Sequence, residues 1–226
     1  MRKFSVLVLF VVSLFILNCR GPEGRSGPKG EGSSDVIAKM INATAKYKNS
    51  ILDIECTDGV SFWRGTGSFV TGGKILTAHH VVAGAMSCEY YNEGGFVGSG
   101  ASGLYNFGGL DMVLITPKEM VKTDLIQIPY TTNYQVTVGE PLLLLSLPLD
   151  INHNVQSTFG YVTDDNVSSE DLGTWANYWR GAFTSDMVAS SGSSGASVFN
   201  GHGIIFAIHV GGYDYNLDLN YQLPIQ

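Results

Sequence analysis

The chain has 226 residues, of which 44% are hydrophobic and only 15% are charged, and it contains 28 glycines. This length suits one all-β domain or two small ones, and the hydrophobic content is sufficient for a sizeable core. A glycine-rich chain without long runs of helix-forming residues argues against a helical bundle. The net charge of −7, with no basic run after Arg2 and Lys3, argues against a nucleic acid partner on electrostatic grounds.

The N-terminus predicts an export signal over residues 1–18. Arg2 and Lys3 precede 14 apolar or small residues at positions 4–17. Such a stretch is too short for a comfortable membrane span and is typical of a signal peptide.

A lipid attachment site follows directly. Residues 16–19 (Ile-Leu-Asn-Cys) resemble a bacterial lipobox, in which the chain is cut before the cysteine and the cysteine is lipidated. The resemblance implies lipidation of Cys19 and a membrane-anchored protein of the bacterial cell envelope, in the periplasm or on the cell surface. Asn18 departs from the usual Gly, Ala or Ser, and a plain signal peptide that contains a cysteine is the alternative.

Residues 19–34 predict a linker, because they are almost entirely Gly, Pro, Ser and charged residues. Residues 21–32 also divide into Gly-X-Y triplets, so a collagen-like stem that joins three chains is one interpretation. So few triplets can hardly hold three chains together, which favours a flexible tether between the lipid and the next domain. We therefore expect a monomer.

A short helix is predicted next, with Ser34 and Asp35 able to cap its start. Its apolar face is expected to consist of Val36, Ile37, Met40 and Ile41.

Strand-like runs separated by turn residues then follow in two groups. The first group covers residues 51–56, 61–70, 74–77, 87–91, 96–105 and 112–116. The second group covers residues 141–147, 155–163, 179–186, 196–200, 203–210 and 219–224. The segment 117–140 would cross between the groups. Two sets of six short strands predict an all-β fold of two packed antiparallel barrels, the first over about 50–116 and the second over about 141–226.

Cys56 and Cys88 are the two cysteines that remain beyond Cys19. An even number of cysteines in an exported chain is compatible with a disulfide. The spacing does not prove the bond, and two buried free thiols remain the alternative.

Residues 190–196 (Ser-Ser-Gly-Ser-Ser-Gly-Ala) form a candidate nucleophile loop. A serine that attacks a carbonyl needs a tight turn, which aims its own N–H and that of a nearby glycine into one hollow. Ser194 with Gly192 meets this requirement. A Ser/Gly run is also typical of a linker, but a linker would not usually sit between core-like strands. Ser193 as the nucleophile fails on register, because only Ser194 has glycine at both the −2 and the +1 position.

His80 is the candidate base, because it ends a predicted strand and small residues precede it. A satisfied surface or core histidine is the commoner role of any single histidine. A metal site formed by His79 and His80 is a third interpretation. Adjacent residues on a strand point to opposite faces, and no Cys or Glu stands at zinc-ligand spacing, so we expect no metal.

Asp111 is the candidate acid, directly before the apolar residues 112–115. A carboxylate at such a position is costly to bury unless it is hydrogen-bonded, and an imidazole N–H would satisfy it. A turn aspartate after Gly108 and Gly109 is the alternative.

Together these three segments resemble the trypsin-like serine peptidases, with the triad in the order His80, Asp111 and Ser194. Residues 65–70 (Gly-Thr-Gly-Ser-Phe-Val) resemble the strand that precedes the histidine in that family. The resemblance covers about residues 35–226. It implies two six-stranded Greek-key barrels with the active site in the cleft between them.

Three further features resemble the bacterial HtrA-like proteases of this class. These features are residues 146–149, residues 158–162 and Asp186, which stands eight residues before Ser194. The PDZ domain of those proteases is missing from this sequence, so the oligomeric chaperone role of that group is not implied.

A second resemblance is to the glutamyl endopeptidases of the staphylococcal V8 type. Residues 192–200 and residues 208–212 (Ile-His-Val-Gly-Gly) resemble the serine motif and the Ile-His-Trp-Gly-Gly motif of that family. The resemblance implies that His209, 15 residues after Ser194, lines the S1 pocket and binds the carboxylate of a substrate Glu. Acidic P1 residues would then be preferred.

The same resemblance assigns one further substrate-binding position, because Ala189 stands where that family has a threonine that also holds the substrate carboxylate. Separately, Val210, Gly211 and Gly212 are expected to pair with the substrate backbone as an added strand. Ser193 and Ala196 depart from the family motif beside the nucleophile.

The predicted activity is that of a serine endopeptidase acting through an acyl-enzyme, with an oxyanion hole formed by the N–H groups of Gly192 and Ser194. A polypeptide is the expected substrate, and no cofactor is needed. The main rival is a catalytically inactive pseudoprotease that serves as a surface binding module. The presence of all three triad residues argues against this rival, whereas the departures at Ser193 and Ala196 keep it open.

Overall fold

The computed structural model describes residues 33–149, 153–212 and 220–226. The predicted signal peptide, the lipidation of Cys19 and nearly all of the predicted tether lie outside these residues. No helix among the described residues has the length and apolar character needed to cross a membrane.

Helix α1 spans Ser33–Tyr47 and is followed by a 3₁₀ turn at Lys48–Ser50. Its predicted apolar face is only partly correct. Met40 is buried, but Ile37 and Ile41 are 48% and 55% exposed. The buried face continues along Ala43 and Tyr47 instead, because the helix runs six residues beyond the predicted apolar stretch and packs through these positions.

The first barrel is closed by six antiparallel strands in the order β1-β2-β3-β6-β5-β4. The strands are β1 (Ile51–Thr57), β2 (Phe62–Val70), β3 (Lys74–Thr77), β4 (Ser87–Asn92), β5 (Gly95–Asn106) and β6 (Val113–Met120). A four-residue helix, α2 (His79–Val82), follows β3. The candidate base thus lies on a short helix just after the strand.

The second barrel repeats this strand order as β7-β8-β9-β12-β11-β10, also closed. The strands are β7 (Pro141–Ser146), β8 (Gln156–Asp164), β9 (Phe183–Ser185), β10 (Ser197–Phe199), β11 (Ile205–Gly212) and β12 (Asn220–Pro224). The long connection between β8 and β9 contains α3 (Ser169–Leu172) and a 3₁₀ turn at Gly173–Trp175. The predicted all-β fold of two six-stranded Greek-key barrels is confirmed.

Two predicted strand ends differ from the structure by four residues. The run predicted to be a strand from residue 179 becomes β9 only at Phe183, because Trp179 lies in the connection and bonds locally to Trp175. Strand β6 continues to Met120, so the crossing linker is shorter than the predicted 117–140. The linker ties the barrels together, since Ile128 pairs with Val70 of β2 and Tyr130 pairs with Ile205 of β11.

The side chains of β7 point alternately into two hydrophobic clusters. Leu143 and Leu145 join the larger cluster, which contains most of the buried side chains of the first barrel. Leu142 and Leu144 point the other way into the second cluster, inside the second barrel. The four consecutive leucines are therefore fully buried although they lie on one strand.

Cys56 and Cys88 form a disulfide, which resolves the alternative that the spacing left open. The two residues lie directly opposite each other on β1 and β4. A crosslink over a sequence separation of 32 residues is worth about 3–4 kcal/mol in the chain-entropy account. The disulfide thus stabilises the first barrel, which carries the candidate base and acid.

Candidate active site

His80 and Asp111 form a doubly hydrogen-bonded pair in the first barrel. The backbone N–H of His80 donates to Asp111 Oδ1 at 2.8 Å, and His80 Nδ1 lies 2.6 Å from Asp111 Oδ2. Because an ionised carboxylate only accepts, Nδ1 carries the proton, and Nε2 is left as a basic lone pair. Asp111 is 4% exposed while His80 is 37% exposed, so the candidate base is open to solvent and the candidate acid is buried behind it.

Burial alone would raise the pKa of Asp111. The hydrogen bond to the His80 ring and the charge on that ring, with hydrogen bonds from Trp179 and the His80 backbone, outweigh burial and hold the pKa below its usual value. Asp111 is therefore a carboxylate at neutral pH. This state is required for a group that orients an imidazole and stabilises its cation.

Trp179 is a residue of this site that the sequence analysis did not identify. Its indole Nε1–H donates to Asp111 Oδ2 at 3.0 Å, and the Asp111 N–H donates to the carbonyl of Tyr178 at 2.9 Å. Trp179 comes from the β8–β9 connection, 68 residues away in sequence. Its only sequence signal is the aromatic-rich stretch at residues 175–179, and the sequence analysis predicts Trp179 as the first residue of a strand.

The turn around Ser194 needs glycine on both sides. Gly192 and Gly195 have φ angles of +93° and +83°, in the left-handed region that side chains disfavour. A Cβ on Gly195 would lie 2.2 Å from Thr77 Oγ1 and 2.8 Å from the backbone N of Ala78. The chain beside Ser194 is thus pressed against the end of β3, two residues before His80.

Thr66 of β2 fastens this turn to the first barrel. Its N–H donates to the Ser194 carbonyl at 2.8 Å, and its hydroxyl donates to the Gly192 carbonyl, also at 2.8 Å. The same hydroxyl accepts from the N–H of Leu147 at 3.0 Å. Thr66 is fully buried, so these bonds are shielded from water.

Within the described part of the chain, the N–H groups of Gly192 and Ser194 have no hydrogen-bond partner. The carbonyl of Ser191 accepts from the N–H of Leu149 at 3.0 Å. Because the peptide is trans, the Gly192 N–H points away from Leu149. The N–H of Ser193, by contrast, is bonded to the Ser190 carbonyl at 2.9 Å, so it is not available to a ligand.

The departures at Ser193 and Ala196 fit this turn. Ser193 is fully buried, and its hydroxyl accepts from the N–H of Ser190 at 3.3 Å. The N–H of Ala196 closes the turn by donating to the Ser193 carbonyl at 2.9 Å, and the Ala196 side chain lies in the core of the second barrel. The turn is thus held by bonds within residues 190–196 and to Thr66 and Leu149.

His209 lies on β11 beside the nucleophile turn. Its N–H donates to the Ala196 carbonyl and its carbonyl accepts from the Gly195 N–H, each at 2.8 Å. Its side chain is 4% exposed, and Nδ1 is buried without a partner among the described residues, as is Oε1 of its cross-strand partner Gln222. Burial, assisted by the nearby His80, lowers the pKa of His209 to about 4. The imidazole is therefore neutral near pH 7.

This lowered pKa predicts how stability depends on pH. The unfolded chain takes up a proton near the ordinary histidine pKa of about 6.5, while folded His209 resists protonation until about pH 4. The unfolded state therefore binds more protons between these values, and stability falls as the pH is lowered through this window, by up to about 3 kcal/mol. Urea unfolding at stepped pH should show a flatter profile for His209→Gln than for the wild type. The same steep slope in both proteins would contradict the assignment, and His79→Gln is the control.

The remaining predicted substrate-binding residues lie in different environments. Ala189 is half-buried and packs against the core of the second barrel. Val210 is buried in the larger core cluster, at a bulge in the pairing of β11 with β12. Gly211 is half-buried, and a Cβ on it would lie 2.8 Å from Cη2 of Trp179. The Val210 side chain is therefore turned into the core, and only backbone groups of Val210 and Gly211 remain for the predicted pairing with a peptide.

One group of described residues has the composition of a metal site, namely Asp53, Glu55 and His153. His153 Nδ1 lies 2.6 Å from the buried Asp53 carboxylate, and Arg64 is ion-paired with both Asp53 and Glu55. The Arg64 guanidinium lies between the two carboxylates and is ion-paired with each of them, so this cluster is an ion-pair network. His79 and His80 belong to no metal-capable group among the described residues.

Comparison with solved structures places the fold among known proteases. The chain superposes on the HtrA-type protease AlgW with a TM-score of 0.67 and 16% identity, covering 82% of this chain and 59% of that one. The Rv3671c protease of M. tuberculosis in its inactive form gives a TM-score of 0.65 at 16% identity, covering 81% of this chain and 87% of that one. The serine endoprotease from Yersinia pestis gives 0.62 at 17% identity, with 82% and 62% covered.

These identities carry the fold alone, and the chain spans less than two thirds of the length of AlgW. Comparison of the sequence with curated proteins gives no match. The family model of the trypsin-like peptidase domain, however, matches residues 65–208, which is more than half of the chain and runs from β2 through the nucleophile turn into β11. The chain therefore belongs to the trypsin-like peptidase family.

Proposed function

We propose that the protein is a serine endopeptidase that hydrolyses peptide bonds through an acyl-enzyme, with Ser194 as nucleophile, His80 as base and Asp111 as the orienting acid. The observation that carries the proposal is the buried Asp111 carboxylate, which holds His80 Nδ1 at 2.6 Å and leaves Nε2 free. The tight turn at Ser194, held by Thr66 against β2, supports the assignment of the nucleophile.

The chemistry follows from these roles. Ser194 Oγ attacks the peptide carbonyl carbon while its proton passes to His80 Nε2, and Asp111 stabilises the resulting imidazolium. Collapse of the tetrahedral intermediate breaks the C–N bond, and His80 returns the proton to the leaving amine. Water then attacks the Ser194 ester with His80 again as base, which releases the acid and restores the hydroxyl.

The oxyanion hole is proposed to consist of the N–H groups of Gly192 and Ser194. Both lack a partner in the described structure, so neither must break a bond to receive the oxyanion. Removing one such donor typically costs about 10²- to 10³-fold in rate. The bonds from Thr66 and Leu149 support this assignment, because they hold the carbonyls of the turn away from the hollow.

The function is tested by incubating the purified protein with a mixture of unstructured peptides and identifying the products by mass spectrometry. We expect internal cleavage by the wild type and none by Ser194→Ala. A well-folded wild type that leaves every peptide intact would contradict the proposal and favour the binding-module alternative.

A preference for acidic P1 residues is the finer part of the proposal, and His209 is the residue that would recognise them. Its buried and unpartnered Nδ1 is a hydrogen-bonding group without a ligand. Leaving such an atom unpaired is costly, and a substrate carboxylate would satisfy it. Because the ring is neutral near pH 7, a bound carboxylate would be accompanied by proton uptake at His209.

This coupling predicts a pH-dependent preference for P1 Glu over P1 Gln. The ratio of kcat/KM values for two peptides that differ only in this residue should rise as the pH is lowered from 8 toward 5, by about tenfold. The pH dependence of the catalytic steps is common to both peptides, so it cancels in the ratio. In His209→Gln the ratio should be flat and close to one. A flat ratio in the wild type as well would remove the acidic preference.

Export and lipid anchoring stay proposals that rest on residues 1–19. Labelling of cells with a radioactive fatty acid should mark the wild type, and Cys19→Ala should be unlabelled and released from the membrane fraction. Equal membrane partitioning of both proteins would contradict the lipid anchor.

A further inference from the structure

We infer that Trp179 is a positioning residue that holds the carboxylate of Asp111 and links its orientation to the strand where substrate binds. This inference rests on the proposed serine peptidase mechanism, in which Asp111 orients His80. Trp179 touches neither the reacting atoms nor Ser194, so it acts through Asp111.

The Asp111 carboxylate accepts three hydrogen bonds, and they are unequally shared between its two oxygens. Oδ1 accepts only from the backbone N–H of His80, at 2.8 Å, whereas Oδ2 accepts from His80 Nδ1 at 2.6 Å and from Trp179 Nε1 at 3.0 Å. The backbone of Asp111 is also bonded to the segment that carries Trp179, through the Tyr178 carbonyl. Without the indole N–H, the carboxylate is held by His80 alone, and Oδ2 loses its one donor from outside the His80–Asp111 pair among the described residues.

Trp179 is itself rigidly held by its neighbours. Its ring stacks on Trp175 with centroids 4.9 Å apart and an interplanar angle of 13°, and it packs against Tyr221 at 5.6 Å. The backbone N–H of Trp179 donates to the Trp175 carbonyl at 2.9 Å, and Trp179 is 7% exposed. A donor that is already ordered loses little entropy in holding the carboxylate.

The Trp179 ring also packs against the backbone at Gly211. The edge of the indole lies where a Cβ on Gly211 would be, 2.8 Å from Cη2, so the ring reaches Asp111 only because this position is glycine. Gly211 belongs to β11, the strand proposed to pair with the substrate backbone. A peptide paired with β11 would therefore lie on the backbone that the Trp179 ring contacts, and Nε1 of the same ring donates to Asp111.

The indole N–H also affects the charge that His80 experiences. It donates to Oδ2, the same oxygen that accepts from His80 Nδ1, and this bond helps to lower the pKa of Asp111. Removing this donor leaves more negative charge facing the ring, which strengthens the bond from His80 Nδ1 and favours the imidazolium. The other titratable group that acts at this site is His209, which stays neutral above about pH 4.

The test compares Trp179→Phe with Trp175→Phe in the full-length protein. Trp179→Phe keeps an aromatic ring in the stack but loses the N–H, while Trp175→Phe alters the same stack and leaves the bond to Asp111 intact. We expect kcat of Trp179→Phe to fall by about 10- to 100-fold with KM within about twofold, as for loss of a hydrogen bond to a charged group. Trp175→Phe should keep kcat within about twofold.

The second readout is the NMR resonance of the His80 Nδ1 proton, which is bonded to Asp111 Oδ2, measured in the absence of substrate. We expect this resonance to move downfield in Trp179→Phe, because the bond strengthens when the indole no longer shares Oδ2, and to stay in place in Trp175→Phe. Gly211→Ala keeps both tryptophans but pushes the indole off Asp111, so it should give the same downfield shift. This variant also decides the matter if Trp179→Phe does not fold.

The outcomes separate the two proposals. A wild type that is folded but inactive contradicts the proposed peptidase, and the NMR measurement still tests the link between Trp179 and His80. An active wild type in which Trp179→Phe and Trp175→Phe share the same kcat and the same His80 Nδ1 proton resonance would overturn the positioning role. An unshifted resonance in both Trp179→Phe and Gly211→Ala would also overturn it.

Discussion

Replacement of Ser194 by alanine should reduce kcat/KM by about 10⁴- to 10⁶-fold while leaving the fold intact. The substitution removes the only atom that forms the ester. The backbone bonds that shape the turn, from Thr66 to the Ser194 carbonyl and from Gly195 to the His209 carbonyl, do not involve the side chain. The loss should therefore appear in peptide cleavage and not in the melting temperature.

Ser193→Ala is the matched control for this substitution. Ser193 is the neighbouring serine and is fully buried, and its hydroxyl bonds to the N–H of Ser190 within the turn. Its loss should lower stability modestly, by about 1 kcal/mol, and should leave a functional nucleophile. If Ser193→Ala abolished turnover while Ser194→Ala retained it, the register assigned to the nucleophile would be wrong.

The second large effect is expected from Asp111→Asn, which should lower kcat by about 10⁴-fold near neutral pH. Asp111 accepts three hydrogen bonds, two from His80 and one from Trp179. An amide has only one oxygen and presents two N–H groups in place of the other, so it faces at least one of these donors with a donor. The His80 ring then favours the tautomer with Nε2 protonated, which cannot accept the Ser194 proton.

The measurement is the pH dependence of kcat, beside Asp164→Asn as the control. Asp164 is exposed and accepts a bond from the backbone N–H of Asn166, so the same chemical change there should leave kcat within about twofold. A comparable loss in both variants would mean that the effect comes from the general change in charge and not from the tautomer of His80.

Much of the fold follows from local patterns. Alternating apolar residues and glycine turns located all twelve strands to within a few residues, because each strand has one face in a barrel and turn residues at its ends. The α1 face was predicted less well. Val36, Ile37, Met40 and Ile41 are all apolar, but only the docking surface decides which of them is buried, and a sequence does not contain that surface.

The site divides in the same way. The glycine pattern around Ser194 is a local requirement of the turn, so the sequence identified it, and the structure brings His80 and Asp111 into contact as predicted. Trp179 and Thr66 act through contacts over 68 and 126 residues of sequence, which no local pattern encodes. The neutral state of His209 depends on its complete burial, which its sequence neighbours do not determine.

The disulfide is an intermediate case. Cys56 and Cys88 were recognised as a possible pair, yet only the register of β1 against β4 puts them opposite each other. The spacing of the two cysteines gives the length of the closed loop but not the pairing of the strands, and so the alternative of two free thiols stood until the register was known.

The central claim is a nucleophilic Ser194 activated by His80, and labelling with a fluorophosphonate tests it most directly. In this reaction Ser194 Oγ attacks phosphorus, fluoride leaves, and the phosphonyl group stays on the serine, where peptide mapping by mass spectrometry locates it. We predict one adduct on Ser194 of the wild type and none in Ser194→Ala or His80→Ala. A folded wild type that takes up no label, or an adduct on another serine, would contradict this account of the active site.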